Sequence, residues 1–248
     1  APTAAPAMLR RVPDLTALEL LLRAAHRPAV QDVQRLWQAL PPDEQEVAAA
    51  RALSLGHPRL ALAWSESPWI HAPAWLRLGE AKAARAALVT LPDSARRAVL
   101  WARAGAQLGE AQALMLAQAA RSQARREGDA AALIAAAALL GELEQAQGAP
   151  RQALRSLAEG LKVAELTGES ADPHLLAVLA HVQAGVGSAA KARQTAQRAL
   201  ERSGPRGPAR VLALFALGRG DEARQEAQAG ELAPVWWTFV GSVDRQEG

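Results

Sequence analysis

The sequence predicts an all-α fold of stacked antiparallel helical hairpins, and three observations carry that prediction. Half of the 248 residues are apolar, but they are mostly Ala and Leu, with two Phe, no Tyr and few β-branched side chains. Small and straight side chains lose little rotamer freedom in a helix, whereas a sheet would need runs of Val, Ile and Thr. Pro and Gly recur at intervals where they read as first helical positions and helix ends. No apolar run approaches the ~20 residues of a membrane span.

Residues 1–13, "APTAAPAMLRRVP", are Ala/Pro-rich and are expected to be a disordered segment or linker. They lack the apolar region of a signal peptide, which leaves a mature secreted start or a tether to a further domain equally open. Asp14 then opens "DLTALELLLRAAH", which Pro28 closes, and "PAVQDVQRLWQAL" runs to Pro41 and Pro42. "DEQEVAAARALSLG" ends at Gly56, and "HPRLALAWSE" follows with Pro58 at a first helical position. Ser67-Pro68 and Ala72-Pro73 both read as helix entries, so "SPWIHA" is expected to be a crowded turn before a short helix from Pro73, "PAWLRLG". "EAKAARAALVTL" reaches Pro92, closing an irregular stretch of hairpins over 14–92.

From 93 to 233 the helices are more regular. Asp93 or Ser94 caps "ARRAVLWARAGAQLG", and "EAQALMLAQAARSQARREG" collects Arg121, Arg125 and Arg126 at its C-terminal end. Cations there complement the helix dipole. Next come "DAAALIAAAALLGELEQAQG", "APRQALRSLAEGLKVAELTG", "DPHLLAVLAHVQAGVG", "SAAKARQTAQRALERSG", "PARVLALFALGRG" and "DEARQEAQAG". Residues 234–248 form a tail whose "VWWTFV" is expected to cap the exposed face of the last hairpin, with a docking segment for a partner as the alternative.

Aligning the turns shows a repeat. "AQGAPRQAL", "AGVGSAAKA" and "ALGRGDEAR" each place an Ala five residues after a Gly, and Gly56 with Ala61 and Gly79 with Ala84 do the same. The Gly ends one helix without steric penalty, and the Ala admits close approach of the next. Leu140 and Gly141, Gly148, Ala153, Leu157 and Gly160 together resemble the tetratricopeptide repeat, as do Leu179, Ala180, Gly187, Ala192 and Ala199. The chain departs from that family in spacing, since equivalent alanines lie 23, 39 and 31 residues apart (61 to 84, 153 to 192, 192 to 223). Where the family has a late aromatic, this chain has Glu144 or Gln183. Longer repeats also look like the helical sensor arms of large bacterial transcription regulators.

The resemblance implies a superhelical array, a TPR-like α-solenoid, whose concave face binds a protein or peptide. Carried onto this chain, the concave positions are Arg96, Arg103, Gln107, Glu142, Gln145, His174, His181 and Phe215. Their alternative is a set of ordinary solvated residues on a shallow face. In "AWSESPWIHAPAW" the expected role is structural: Trp64, Trp69 and Trp75, joined by Trp101, pack a joint where the repeat breaks.

Catalytic motifs are missing. The chain has no phosphate-cradling GxxxxGK[ST], no GxSxG, no HExxH and no cysteine. His174 and His181 share a helix face two turns apart, too far for one metal without a third ligand. No enzyme activity, cofactor or metal is therefore expected. The pI of about 10.1 accompanies a net charge of only +3, with Arg and Glu interspersed as on solvated faces. Nucleic-acid binding through arginine ridges ranks below two other readings, a protein- or peptide-binding scaffold and a partner- or ligand-sensing arm of a bacterial regulator. A cytoplasmic location is expected.

Overall fold

In the computed structural model, residues 15–24, 30–168 and 171–240 are described. They form fourteen α-helices and two 3-10 turns, with no strand among the described residues. The segment 1–13 and the signals at Asp14 and Pro28 lie outside the described residues, as does 241–248 of the tail.

The N-terminal helices are α1 Leu15–Ala24, α2 Val30–Gln38, α3 Pro42–Ser54 and α4 Pro58–Trp64. Then come α5 Pro68–Arg77, α6 Ala81–Val89, α7 Ala95–Gln107, α8 Ala113–Glu127 and α9 Ala130–Ala146. The series ends with α10 Pro150–Leu166, α11 Pro173–Gly185, α12 Ala189–Arg202, α13 Pro208–Ala216 and α14 Gly220–Ala229, followed by 3-10 turns at Pro234–Trp236 and Thr238–Val240. The boundaries follow local chemistry. Pro occupies the first turn of α3, α4, α5, α10, α11 and α13, where its missing N–H would have no partner anyway. Ser94, Asp129 and Asp172 accept the N–H groups of Arg97, Ala132 and Leu175.

One boundary corrects the sequence reading. "SPWIHA" is the first turn and a half of α5 rather than a turn before it, and Pro73 sits inside the helix. Ser67 O accepts the N–H groups of Ile70 and His71, so the helix is established before Pro73 removes one hydrogen bond. His71 Nε2 bonds back to Ser65 O and ties that first turn to the end of α4.

Consecutive helices pack on each other, and α5, α7, α9, α11 and α13 also pack on one another in sequence. These five form an inner layer, with α6, α8, α10, α12 and α14 set against it. That arrangement explains why α9 and α11 are apolar on almost every side: each touches outer partners and inner neighbours together. Ala61, Ala84, Ala153, Ala192 and Ala223, the alanines following the turn glycines, are all buried. Gly141 faces Leu157 so closely that a Cβ there would lie 2.8 Å from Leu157 Cγ.

The two ends of the series meet. Carbonyls at the C-terminal ends of α1, α3 and α5, which have no partners within their own helices, are capped from residues 203–236. Arg206 donates to Leu22 O, to Arg23 O and, from Nε, to Leu55 O at 3.0 Å. Ala233 N donates to Arg77 O at 2.8 Å, and Trp236 Nε1 to Leu76 O at 2.9 Å. Arg206 and Glu231, the two non-glycine residues with a left-handed backbone among those described, both lie at this closure. Gly56 and Gly230 make room for Arg206, because a Cβ on either would collide with it.

Candidate functional site

The inner layer carries all eight residues that the sequence marked as concave. Arg103 on α7, Glu142 on α9 and His174 at the start of α11 come together. Arg103 grips Glu142 through both guanidinium nitrogens, with Nη2 2.8 Å from Oε1. His174 Nε2 donates to the same Oε1 at 2.7 Å. Burial alone would raise the Glu142 carboxyl. The charge of Arg103 and the hydrogen bond from His174 outweigh it and hold the group at about 2. Glu142, only 6% exposed, is thus a permanent anion locked between two neighbours, and not an open contact for a partner's cation.

The other marked residues are dispersed. Arg96 is exposed and lies over the Trp69 ring at 4.5 Å. Gln107 Nε2 donates to Leu76 O. Gln145 lies against Gly185 of the next inner helix. His181, expected to be partly exposed, is buried, and its Nε2 donates to Leu212 O at 2.8 Å. Desolvation lowers it to about 4 despite that bond, so it is neutral at physiological pH. Phe215 is buried under Trp237.

The tail accounts for this burial. It does reach the last hairpin, where Trp237 meets Phe215 at 5.8 Å between ring centroids. Trp236 and Phe239 of its described part, however, lie along the inner layer. Phe239 meets His181 edge-on at 5.9 Å, and Trp236 meets His174 in the same way while Arg103 lies over its ring at 4.8 Å. The inner face is therefore partly filled by the chain's own aromatics. The four tryptophans expected to share one joint also separate. Trp64 stacks on Trp37 at 5.6 Å, Trp75 packs against the cluster of Leu76, Ala81, Ala84 and Ala104, and Trp101 lies under Arg85 and Arg97.

What remains open is a cavity of about 610 Å³ framed by α5, α7, α9, the start of α11, residues 204–209 and Trp236. Its lining includes Leu76, Leu100, Ile134, Arg77, Arg103 and His174. A neighbouring hollow of about 260 Å³ shares Pro73, Val99, Leu100, Ala131 and Ala135 with it and extends to Arg96.

The chain matches no family model, and no curated protein or solved structure is significantly similar to it.

Chemically, the cavity offers recognition. Its polar groups are Arg77, Arg103, His174, the Asp172 carboxylate that caps α11 and the Ser54 hydroxyl, which donates to Arg51 O, all set in largely apolar walls. Among the described residues no three His, Cys, Asp or Glu side chains are placed to hold a metal, and no helix is long and apolar enough to cross a membrane. Two of the three arginines at the end of α8 engage one carboxylate: Arg125 Nε donates to Glu159 Oε1 at 2.7 Å, and Arg121 approaches it at 3.7 Å, while Arg126 is exposed. Sequence reasoning missed Arg77 and Trp236 as cavity residues. Neither carries a local signal, since they meet only when positions 76 and 236 come together.

Proposed function

We propose that the chain is a non-catalytic binding module, a TPR-like superhelical array whose inner face is the recognition surface. The observation that carries this reading is the cavity: three of the eight residues marked as concave, Arg96, Arg103 and His174, line it or the hollow that joins it. Trp237 and Phe239 already cover the inner face at Phe215 and His181. An extended peptide would have to displace them, whereas a compact ligand fits beside Trp236 without rearrangement. The geometry therefore favours the ligand-sensing reading over the peptide scaffold. Concave, largely apolar clefts of ~300–1,000 Å³ with a few convergent polar groups are the usual form of such sites.

Labelling with 5-fluorotryptophan and assigning the Trp236 and Trp237 signals by Trp→Phe substitution tests this directly. Titration with a fragment library is expected to move the Trp236 fluorine resonance while leaving Trp237 in place. Random peptides that shift Trp237, with Trp236 untouched by any small molecule, would return the function to peptide capture.

A further inference from the structure

Two arginines are drawn into the closure, and their surroundings differ. Arg206, 2% exposed, is surrounded by the C-terminal carbonyls of α1 and α3, the negative ends of two helices. Arg77, at the end of α5, forms no ion pair among the described residues, and its Nη1 is out of contact with solvent with no hydrogen-bond partner. Burial pulls its guanidinium down to about 10, which still leaves it charged at neutral pH. Arg77 is partly buried; its dry Nη1 has lost water without gaining a partner, a cost that an anion placed against it would remove. An apolar side chain of similar length would fill the same space without that penalty.

The cavity bordering Arg77 indicates what supplies it. The other cation lining it, Arg103, is already neutralised by Glu142. Asp172 also lines the cavity, but its carboxylate caps α11 through Leu175 N at 2.9 Å and forms no ion pair with Arg77. Gly207, beside the Arg77 guanidinium, has no side chain to cover it; a Cβ there would lie 3.8 Å from Nη2. Leu76, Leu100, Ile134 and Trp236 make much of the remaining wall apolar.

We propose that this cavity binds a small organic acid, with its carboxylate on the Arg77 guanidinium and its apolar body against Leu100, Ile134 and Trp236. This assignment rests on the binding-module reading and gives its ligand class. The planar guanidinium fork matches a carboxylate, and charge-assisted hydrogen bonds are strongest where water is excluded.

The test uses the described protein with octanoate and 4-phenylbutyrate as probes, each paired with its amide, in calorimetric titration and thermal shift. Each acid is expected to bind at least tenfold more tightly than its amide. Arg77→Met should abolish that preference while leaving the melting temperature unchanged or higher, because it removes a dry N–H that has no partner; Arg77→Lys should keep part of it. Ala135→Trp, which fills the cavity from a solvent-exposed position, should block every probe. Acids and amides binding alike, with Ala135→Trp blocking both, would leave the cavity as the binding site and overturn the carboxylate assignment. Probe binding unaffected by Ala135→Trp, or no binding by any probe, would overturn both readings. A marked loss of stability in Arg77→Met would make Arg77 a structural group and overturn the assignment.

Discussion

His181 shows how one residue turns packing into a pH response. Its imidazole is buried beneath Phe239 with its Nε2 proton on Leu212 O, and desolvation depresses it to about 4 in the folded chain, against 6.5 for an unperturbed group. Between those values the unfolded chain holds the proton and the folded chain does not. Stability is thus fully present above about pH 6.5 and is lost as the pH falls toward 4. His57, buried against Leu22 O, is also lowered, chiefly by desolvation, and acts in the same direction. The melting temperature is expected to drop on going from pH 7 to pH 5. In His181→Gln, which can still donate to Leu212 O but cannot titrate there, the drop should be smaller. An equal drop in the variant would assign the response to other groups. Glu142 adds a separate loss at lower pH, as protonation proceeds from its unperturbed 4.5 toward about 2.

At the scale of the element, the pairing of α9 with α10 depends on what a glycine leaves out. Gly→Ala in a helix interior ordinarily stabilises by roughly 0.5–1 kcal/mol. At Gly141 the new methyl would press into the branch point of Leu157, so Gly141→Ala is expected to destabilise by about 1–3 kcal/mol, read from urea unfolding. Elements of this kind were legible in the sequence. Pro at first positions, Gly at positive-φ ends and Ala at close approaches are local signals, and the helices formed close to where these residues placed them. The exception, α5, is instructive. Pro73 and the residue before it read as a helix start, but the helix had already begun at Pro68, and a proline one and a half turns in is tolerated. The four tryptophans were legible as structural but not as separate, because a ring's neighbour depends on helices far away in sequence.

The whole molecule depends on its closure, and this was the least legible part. Nothing near Arg206 in "RSGPRGPAR" indicates that it reaches residues 22, 23 and 55. Arg77 and Arg206 look alike as sequence, yet Arg206 is buried among carbonyls while Arg77 is partly buried at the cavity wall. Arg206→Ala would leave the Leu55 and Arg23 carbonyls without their donor, at about 1–3 kcal/mol for each one left dry. We expect hydrogen exchange to quicken first at the C-terminal ends of α1 and α3 and in 203–207, with the α9–α11 core still protected. Uniform exchange across the chain would show that the closure is incidental to stability.

An open stack of hairpins can gain or lose a unit, because each unit contacts only its neighbours. Here residues 22 and 55 have to meet residue 206, and residue 77 has to meet residue 233. Duplicating one hairpin would move those partners apart, and deleting one would force them past each other. The number of hairpins is therefore fixed by geometry. Substitutions and longer outward turns leave that number unchanged, and with it the size of the cavity framed by α5, α7 and α9.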